Sequence, residues 1–170
     1  CDTANGIGIG AVLWVAGCSC RCHGCHNQLT WDFNAGQPFT EDTMQELLDT
    51  LNKPYISRLT LSGGHPLESQ NLETVYQIVK TVKEKFPNKK IWLYTGYTWE
   101  EILNNDRENK RANTNSISLL DVVRCCNILV DGKYEKDKRD ISLAFAGSSN
   151  QRVIDIQKSF KQNKVILFCD

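Results

Sequence analysis

An α/β architecture, an open partial barrel of βα units around a parallel sheet, is expected for this chain on three observations. Short apolar runs alternate with stretches whose apolar residues repeat at helical spacing, the pattern of βαβ units. Each apolar run ends in a loop bearing glycine or small polar residues. The chain is 170 residues long, whereas an eight-unit βα barrel takes roughly 250 residues, about 31 per unit. There is room for five or six units in one domain, residues 1–170, arranged as a partial barrel or a doubly wound sheet. In both arrangements chemistry gathers at the C-terminal ends of the strands.

The first strand is expected at 11–16 (AVLWVA), a buried apolar run ending at Gly17. After a turn at 36–38, Thr40 is placed to cap a helix, with Glu41 and Asp42 in its first turn. Met44, Leu47, Leu48 and Leu51 then form one apolar helical face, stopped by Asn52 and Pro54. A second strand at 56–61 (ISRLTL) runs into Ser62, Gly63 and Gly64, and a helix over 72–86 carries Leu72, Val75, Val79, Val82 and Phe86. The third strand, 91–94 (IWLY), leads to Thr95, Gly96 and Tyr97; Thr98 and Glu101 then form a capping box for a short helix. The polar, Asn-rich stretch 104–116 reads as an exposed loop. A helix near 119–125 precedes a strand at 127–131, with further strands expected at 153–156 and 165–168.

Composition excludes several classes of function. Twenty basic and twenty acidic residues leave no net charge, which argues against non-specific binding to nucleic acid or to an anionic membrane. No apolar run approaches the ~20 residues of a membrane-spanning helix. The only methionine is Met44, so a few native residues are expected upstream of Cys1.

The eight cysteines carry the chemistry. Cys18, Cys20, Cys22 and Cys25 fall within one short segment directly after the first strand, and neighbours this close rarely reach good disulfide geometry with one another. In a chain without a secretion signal such clusters read as metal ligands in a reducing, cytoplasmic compartment. Cys18-x3-Cys22-x2-Cys25 can hold three irons of a 4Fe-4S cluster and leave the fourth open to a substrate. The alternative is a non-catalytic zinc-binding module that uses Cys20 as a fourth ligand. A His–Cys catalytic pair lacks a third, orienting group. Gly6, Gly8 and Gly10 precede a strand instead of following one, so they read as a flexible turn and not a phosphate loop.

CxxxCxxC after a first strand resembles the radical S-adenosylmethionine superfamily. Longer blocks resemble one member family, the activating enzymes of anaerobic ribonucleoside-triphosphate reductase. They are residues 17–27 with Thr30, Trp31 and 36–40; then 61–67 (LSGGHPL), 91–97 (IWLYTGY), 130–133 (VDGK) and 147–152 (GSSNQR), in family order over residues 2–152. The resemblance implies a radical SAM oxidoreductase, a glycyl-radical-generating activase similar to the formate C-acetyltransferase activating type. It reductively cleaves S-adenosylmethionine to methionine and a 5′-deoxyadenosyl radical, which takes hydrogen from a glycine Cα of the reductase. An activase of another glycyl-radical enzyme is the near variant.

Carried over by position, Cys18, Cys22 and Cys25 bind the 4Fe-4S cluster. Gly24, Cys25 and His26 lie where the family grips adenine, largely through backbone, and Gly63 and Gly64 match the loop that holds the methionine ammonium. His65 stands where the family usually has Asp or Glu, and a protonated imidazole would repel the ammonium, so backbone carbonyls are expected to carry that contact. The implied partners are the reductase, an electron donor such as a flavodoxin or ferredoxin-type protein, and a second copy in a homodimer. Cys125 and Cys126 read as core residues, Cys20 as a packing or bystander thiol, and the alternating charges of 135–140 as a solvated face. Cys1 and Cys169 carry no signal, and 147–152 offers no chemistry from residue types alone.

Overall fold

A computed structural model describes residues 1–111 and 116–168, with the backbone alone at Lys110. In chain order the elements are β1 (Gly10–Val15), α1 (Glu41–Asn52), β2 (Arg58–Gly63), α2 (Ser69–Lys85), β3 (Lys90–Tyr94), α3 (Trp99–Arg111), α4 (Leu119–Cys125), β4 (Ile128–Asp131), β5 (Arg152–Asp155) and α5 (Ile156–Gln162). The strands form one open sheet in the order β1-β2-β3-β4-β5. The order never reverses, unlike that of a doubly wound sheet. None of the described helices is long and apolar enough to cross a membrane.

The sheet departs from the expected all-parallel set of five or six units. β1 to β4 are parallel, but β5 runs antiparallel to β4. A parallel return needs a crossover, usually helical, and the segment between β4 and β5 holds only a 3-10 turn at Lys136–Lys138. The strand expected at 165–168 is reduced to an isolated bridge between Ile154 and Leu167. β1 is the sheet edge rather than a fully buried strand, and leaves Trp14 49% exposed.

Strand alternation sorts the sheet into two faces. Leu59, Leu61, Ile91, Leu93, Leu129 and Ile154 join the core built with Leu48 and Leu51 of α1, Val75, Ile78, Val79 and Val82 of α2, and Val122 and Val123 of α4. Each of these fully buried side chains stabilises by about 1.5–3 kcal/mol. Helix ends are set as expected at two places. The Thr40 hydroxyl accepts from Thr43 N–H at 3.3 Å, while Thr98 N–H donates to Glu101 at 2.7 Å and Glu101 N–H to the Thr98 hydroxyl at 3.3 Å.

The loop expected over 104–116 is helical as far as Arg111. Trp99, Ile102, Leu103 and Asp106 lie at i, i+3, i+4 and i+7, and all four turn inward or pack on the core. Of the polar residues that suggested a loop, Asn104, Arg107, Glu108 and Arg111 occupy the solvent side of that helix, and Asp106 is buried. Residues 112–115 lie outside the described residues.

The second face of the sheet is covered from the N-terminal side. Arg58, fully buried, pairs with Asp2 at 2.6 Å and donates to the Thr60 hydroxyl at 2.7 Å. Thr60 in turn donates to the Asn5 carbonyl at 2.8 Å. Gly6 and Gly10 lie against the Arg58 side chain, so a Cβ at either would approach it to within 2.8 and 2.3 Å. Of the three glycines expected to form a flexible turn, Gly6 and Gly10 thus belong to a strap fitted over a buried cation, while Gly8 lies against Ser57.

Candidate metal centre

The loops that follow β1, β2, β3 and β4 meet around one cavity of about 160 Å³. It is lined by Cys18, Cys20, Cys22, Cys25 and His26 from the first loop and by Gly63, Gly64 and His65 from the second. Thr95 and Gly96 come from the third, and Lys133 from the fourth. The shared rim expected from strand order is therefore present. Gly24 does not line the cavity; its outer side lies 3.0 Å, measured from an ideal Cβ, from the Lys136 side chain.

Backbone hydrogen bonds set the register of these loops. Gly17 N–H donates to the Thr30 carbonyl at 2.8 Å and Cys18 N–H to the Trp31 carbonyl at 3.1 Å. From the second loop, Gly64 N–H donates to the Val15 carbonyl at 2.7 Å and His65 N–H to the Gly17 carbonyl at 2.8 Å. A Cβ on Gly64 would lie 2.6 Å from the Gly17 carbonyl oxygen and 2.8 Å from that of Thr30. Gly63 has φ +100° and no space toward Val15. Both glycines are required by close backbone approach.

The four thiols are not equivalent. Cys18 is buried, while Cys20, Cys22 and Cys25 are half-buried. A hydrogen bond from the Cys20 thiol, helped by the backbone N–H groups of Arg21 and Cys20 and opposed by burial, brings the Cys18 thiol down to about 6. Holding that proton moves Cys20 strongly upward. Burial raises Cys22. Asn27 N–H donates to Cys25 Sγ at 3.3 Å. Cys20 packs under Gly96, where an added Cβ would meet its sulfur at 2.6 Å.

Among the described residues no three Cys, His or carboxylate groups converge closely enough to hold one metal ion. A four-iron cluster asks for something different, one thiolate for each of three irons. Soft sulfur donors, an N–H donor to one sulfur and Lys133 as a nearby counter-charge suit such a cluster.

His65 faces inward. The residue is 1% exposed, and its ring packs edge-on against Tyr97 at 4.6 Å. Nδ1 lies 3.1 Å from Glu68 Oε1 and Nε2 lies 2.7 Å from the Thr95 hydroxyl. Burial lowers the imidazole below its ordinary value, against the opposing pull of Glu68. The neutral ring facing a carboxylate is assigned its proton on Nδ1, leaving Nε2 to accept from Thr95. The Thr95 oxygen accepts in turn from Tyr97 N–H at 3.1 Å. The side chain expected beside a ligand ammonium is thus occupied by the protein.

Sequence reasoning missed Glu68. It precedes α2 as the N-cap residue, but its carboxylate does not cap that helix. Instead Oε1 accepts from Ser19 N–H at 2.7 Å and Ser19 Oγ–H at 2.6 Å, across the cavity rim. An acidic residue at a helix start is the only signal, and it points to a cap.

The 147–152 block acts on the fourth loop. Gln151 donates to the Gly132 carbonyl at 2.9 Å and Asn150 to that of Lys133 at 2.7 Å. Arg152 bridges Asp131 at 2.5 Å and Glu100 at 2.7 Å. Cys126 is fully buried in the core and Cys125 packs against it, as expected. Residues 135–139 are exposed, and Cys169 lies outside the described residues.

A family model described as "4Fe-4S single cluster domain" matches residues 4–154. The anaerobic ribonucleoside-triphosphate reductase-activating protein of Enterobacteria phage T4 is 42% identical over 153 residues, covering 90% of this chain and 88% of that protein. Its namesake in Escherichia coli K12 is 38% identical, covering 89% and 92% of the two chains. That of Pasteurella multocida is 40% identical, covering 88% and 89%. No solved structure matches at a significant level. With the cysteine loop on a shared rim and the match running through both, this chain belongs to the anaerobic ribonucleoside-triphosphate reductase-activating proteins, a family with a 4Fe-4S single cluster domain.

Proposed function

We propose that this chain is a radical S-adenosylmethionine enzyme that installs a glycyl radical on an anaerobic ribonucleoside-triphosphate reductase, in one domain built as an open partial βα barrel. The observation that carries the reading is the single cavity shared by the cysteine loop, the Gly63-Gly64 loop and Lys133. Cys18, Cys22 and Cys25 would hold the cluster, one thiolate to an iron, with the fourth iron free of protein. When bound, the reduced cluster supplies the electron that cleaves S-adenosylmethionine to methionine and a 5′-deoxyadenosyl radical, which takes a hydrogen atom from a glycine Cα of the reductase.

The chain's own residues bind and orient. Backbone carbonyls of the Gly63-Gly64 loop suit the ligand ammonium, since the His65 side chain is committed to Glu68 and Thr95. Backbone at 24–26 is the proposed adenine contact, with His26 on the cavity wall. Lys133, the one Lys or Arg among the described residues that line the cavity, balances the negative charge of thiolates and of a ligand carboxylate. The reductase, a flavodoxin or ferredoxin-type electron donor and a second copy of the chain are the proposed partners, in a reducing cytoplasm.

The test is 5′-deoxyadenosine formation by anaerobically reconstituted protein with dithionite and S-adenosylmethionine, followed by the glycyl-radical signal when the reductase is added. Wild type should give both and Cys22→Ala neither. Cluster-loaded wild type that gives no product with the reductase present would sink the reading.

A further inference from the structure

We propose that Glu68 is a positioning residue for the metal centre: it locks the backbone beside Cys18 to the loops that follow β2 and β3. The proposal rests on the reading above that Cys18 is a cluster ligand. One oxygen, Glu68 Oε1, receives Ser19 N–H at 2.7 Å, Ser19 Oγ–H at 2.6 Å and His65 Nδ1 at 3.1 Å. His65 carries the link onward to Thr95 at 2.7 Å. Glu68, His65 and Thr95 are all buried. Three strand-end loops are thereby joined through side chains, in addition to the backbone bonds that join the first two.

Cys18 is consequently held on both sides. Its own N–H donates to the Trp31 carbonyl at 3.1 Å, and the next amide, Ser19 N–H, donates to Glu68. The peptide between those two amides sets the direction of the Cys18 side chain, and a thiolate misdirected by a fraction of an ångström loses its iron. Glu68 neither caps its own helix nor lines the cavity, so its carboxylate is used on the cysteine loop. Because all three contacts converge on one oxygen, the role belongs to an acceptor at that point, which a glutamine amide oxygen also provides.

The experiment compares wild type, Glu68→Ala, Glu68→Gln, Ser19→Ala and the Ser19→Ala/Glu68→Ala double variant, each reconstituted with its cluster. The readouts are the rate of iron release to a ferrous chelator, the electron paramagnetic resonance of the reduced cluster with and without S-adenosylmethionine, and the thermal melt. Glu68→Ala, which loses all three contacts, should release iron at least about tenfold faster than wild type, the factor that a single lost hydrogen bond to a charged group would already give. Glu68→Gln should stay close to wild type, and Ser19→Ala should fall between. Adding Ser19→Ala to Glu68→Ala should change nothing further. Wild-type release by Glu68→Ala, or equal damage from Gln and Ala, overturns the proposal. If Glu68→Ala does not fold, Ser19→Ala decides: wild-type release from it also overturns the proposal. Wild type that binds no cluster overturns the ligand reading and this proposal with it, whereas an unaffected Glu68→Ala overturns this one alone.

Discussion

His65 N–H donates to the Gly17 carbonyl oxygen at 2.8 Å, so the loop after β2 is bonded to the residue immediately before Cys18. Gly64 sits inside that junction, with the carbonyl oxygens of Gly17 and Thr30 where its Cβ would be. Gly64→Ala should therefore push the cysteine loop outward, destabilising the protein by about 1–3 kcal/mol through overpacking. It should also weaken S-adenosylmethionine binding. Thermal melting and ligand titration of the reduced cluster's resonance would measure both; an unchanged melt would show that the junction opens freely.

Cys22→Ala and Cys20→Ala should differ. Removing Cys22, a proposed ligand, should leave fewer than four irons per chain and a weakened brown absorbance, whereas Cys20→Ala should keep the full complement. The Cys20 sulfur packs under Gly96 on the cavity wall, so its loss should change the cluster's potential more than its occupancy. Iron analysis and a redox titration separate the two effects, and equal iron loss in both variants would make Cys20 a ligand.

The buried His65 makes stability depend on pH. Its imidazole is held below its ordinary value of about 6.5, chiefly by burial. Between 6.5 and that lowered value the unfolded chain takes a proton that the native chain refuses, so stability falls as pH drops through 6.5 and levels off below the folded value. Urea unfolding from pH 7.5 to 5.5 should show this fall, and His65→Gln should flatten it.

Asp2→Asn tests the N-terminal strap. Losing the charge that faces fully buried Arg58 should cost about 1.5–3 kcal/mol, the worth of a hydrogen bond to a charged group. Arg58 and Asn5 hold the Asp2 carboxyl below its ordinary value despite partial burial. Its contribution is present above about pH 4 and is lost as pH falls through the lowered value. The difference in melting temperature between wild type and variant should be full at pH 7 and close below pH 4.

Much of the centre was legible in the residue order. The cysteine spacing, the two glycines after β2 and the Thr-Gly-Tyr turn after β3 are local patterns, and strand order alone implied one rim. His65 was legible as a departure but not in its consequence, because the partners that occupy its ring are Glu68 and Thr95, the latter 30 positions away. The stretch after Thr98 misled because helical burial there rests on four residues, Trp99, Ile102, Leu103 and Asp106, among many polar ones.

Residue order determined the alternation of strands and helices, their caps and the chemistry of the thiol loop, since propensity, capping and ligand spacing act over a few neighbouring positions. The reversed direction of β5, the fitting of Gly6 and Gly10 over Arg58, and the reach of Glu68 to Ser19 across 49 positions were decided by tertiary structure. Each is a contact between distant segments, and its energy exists only once the sheet has brought both partners to the same place.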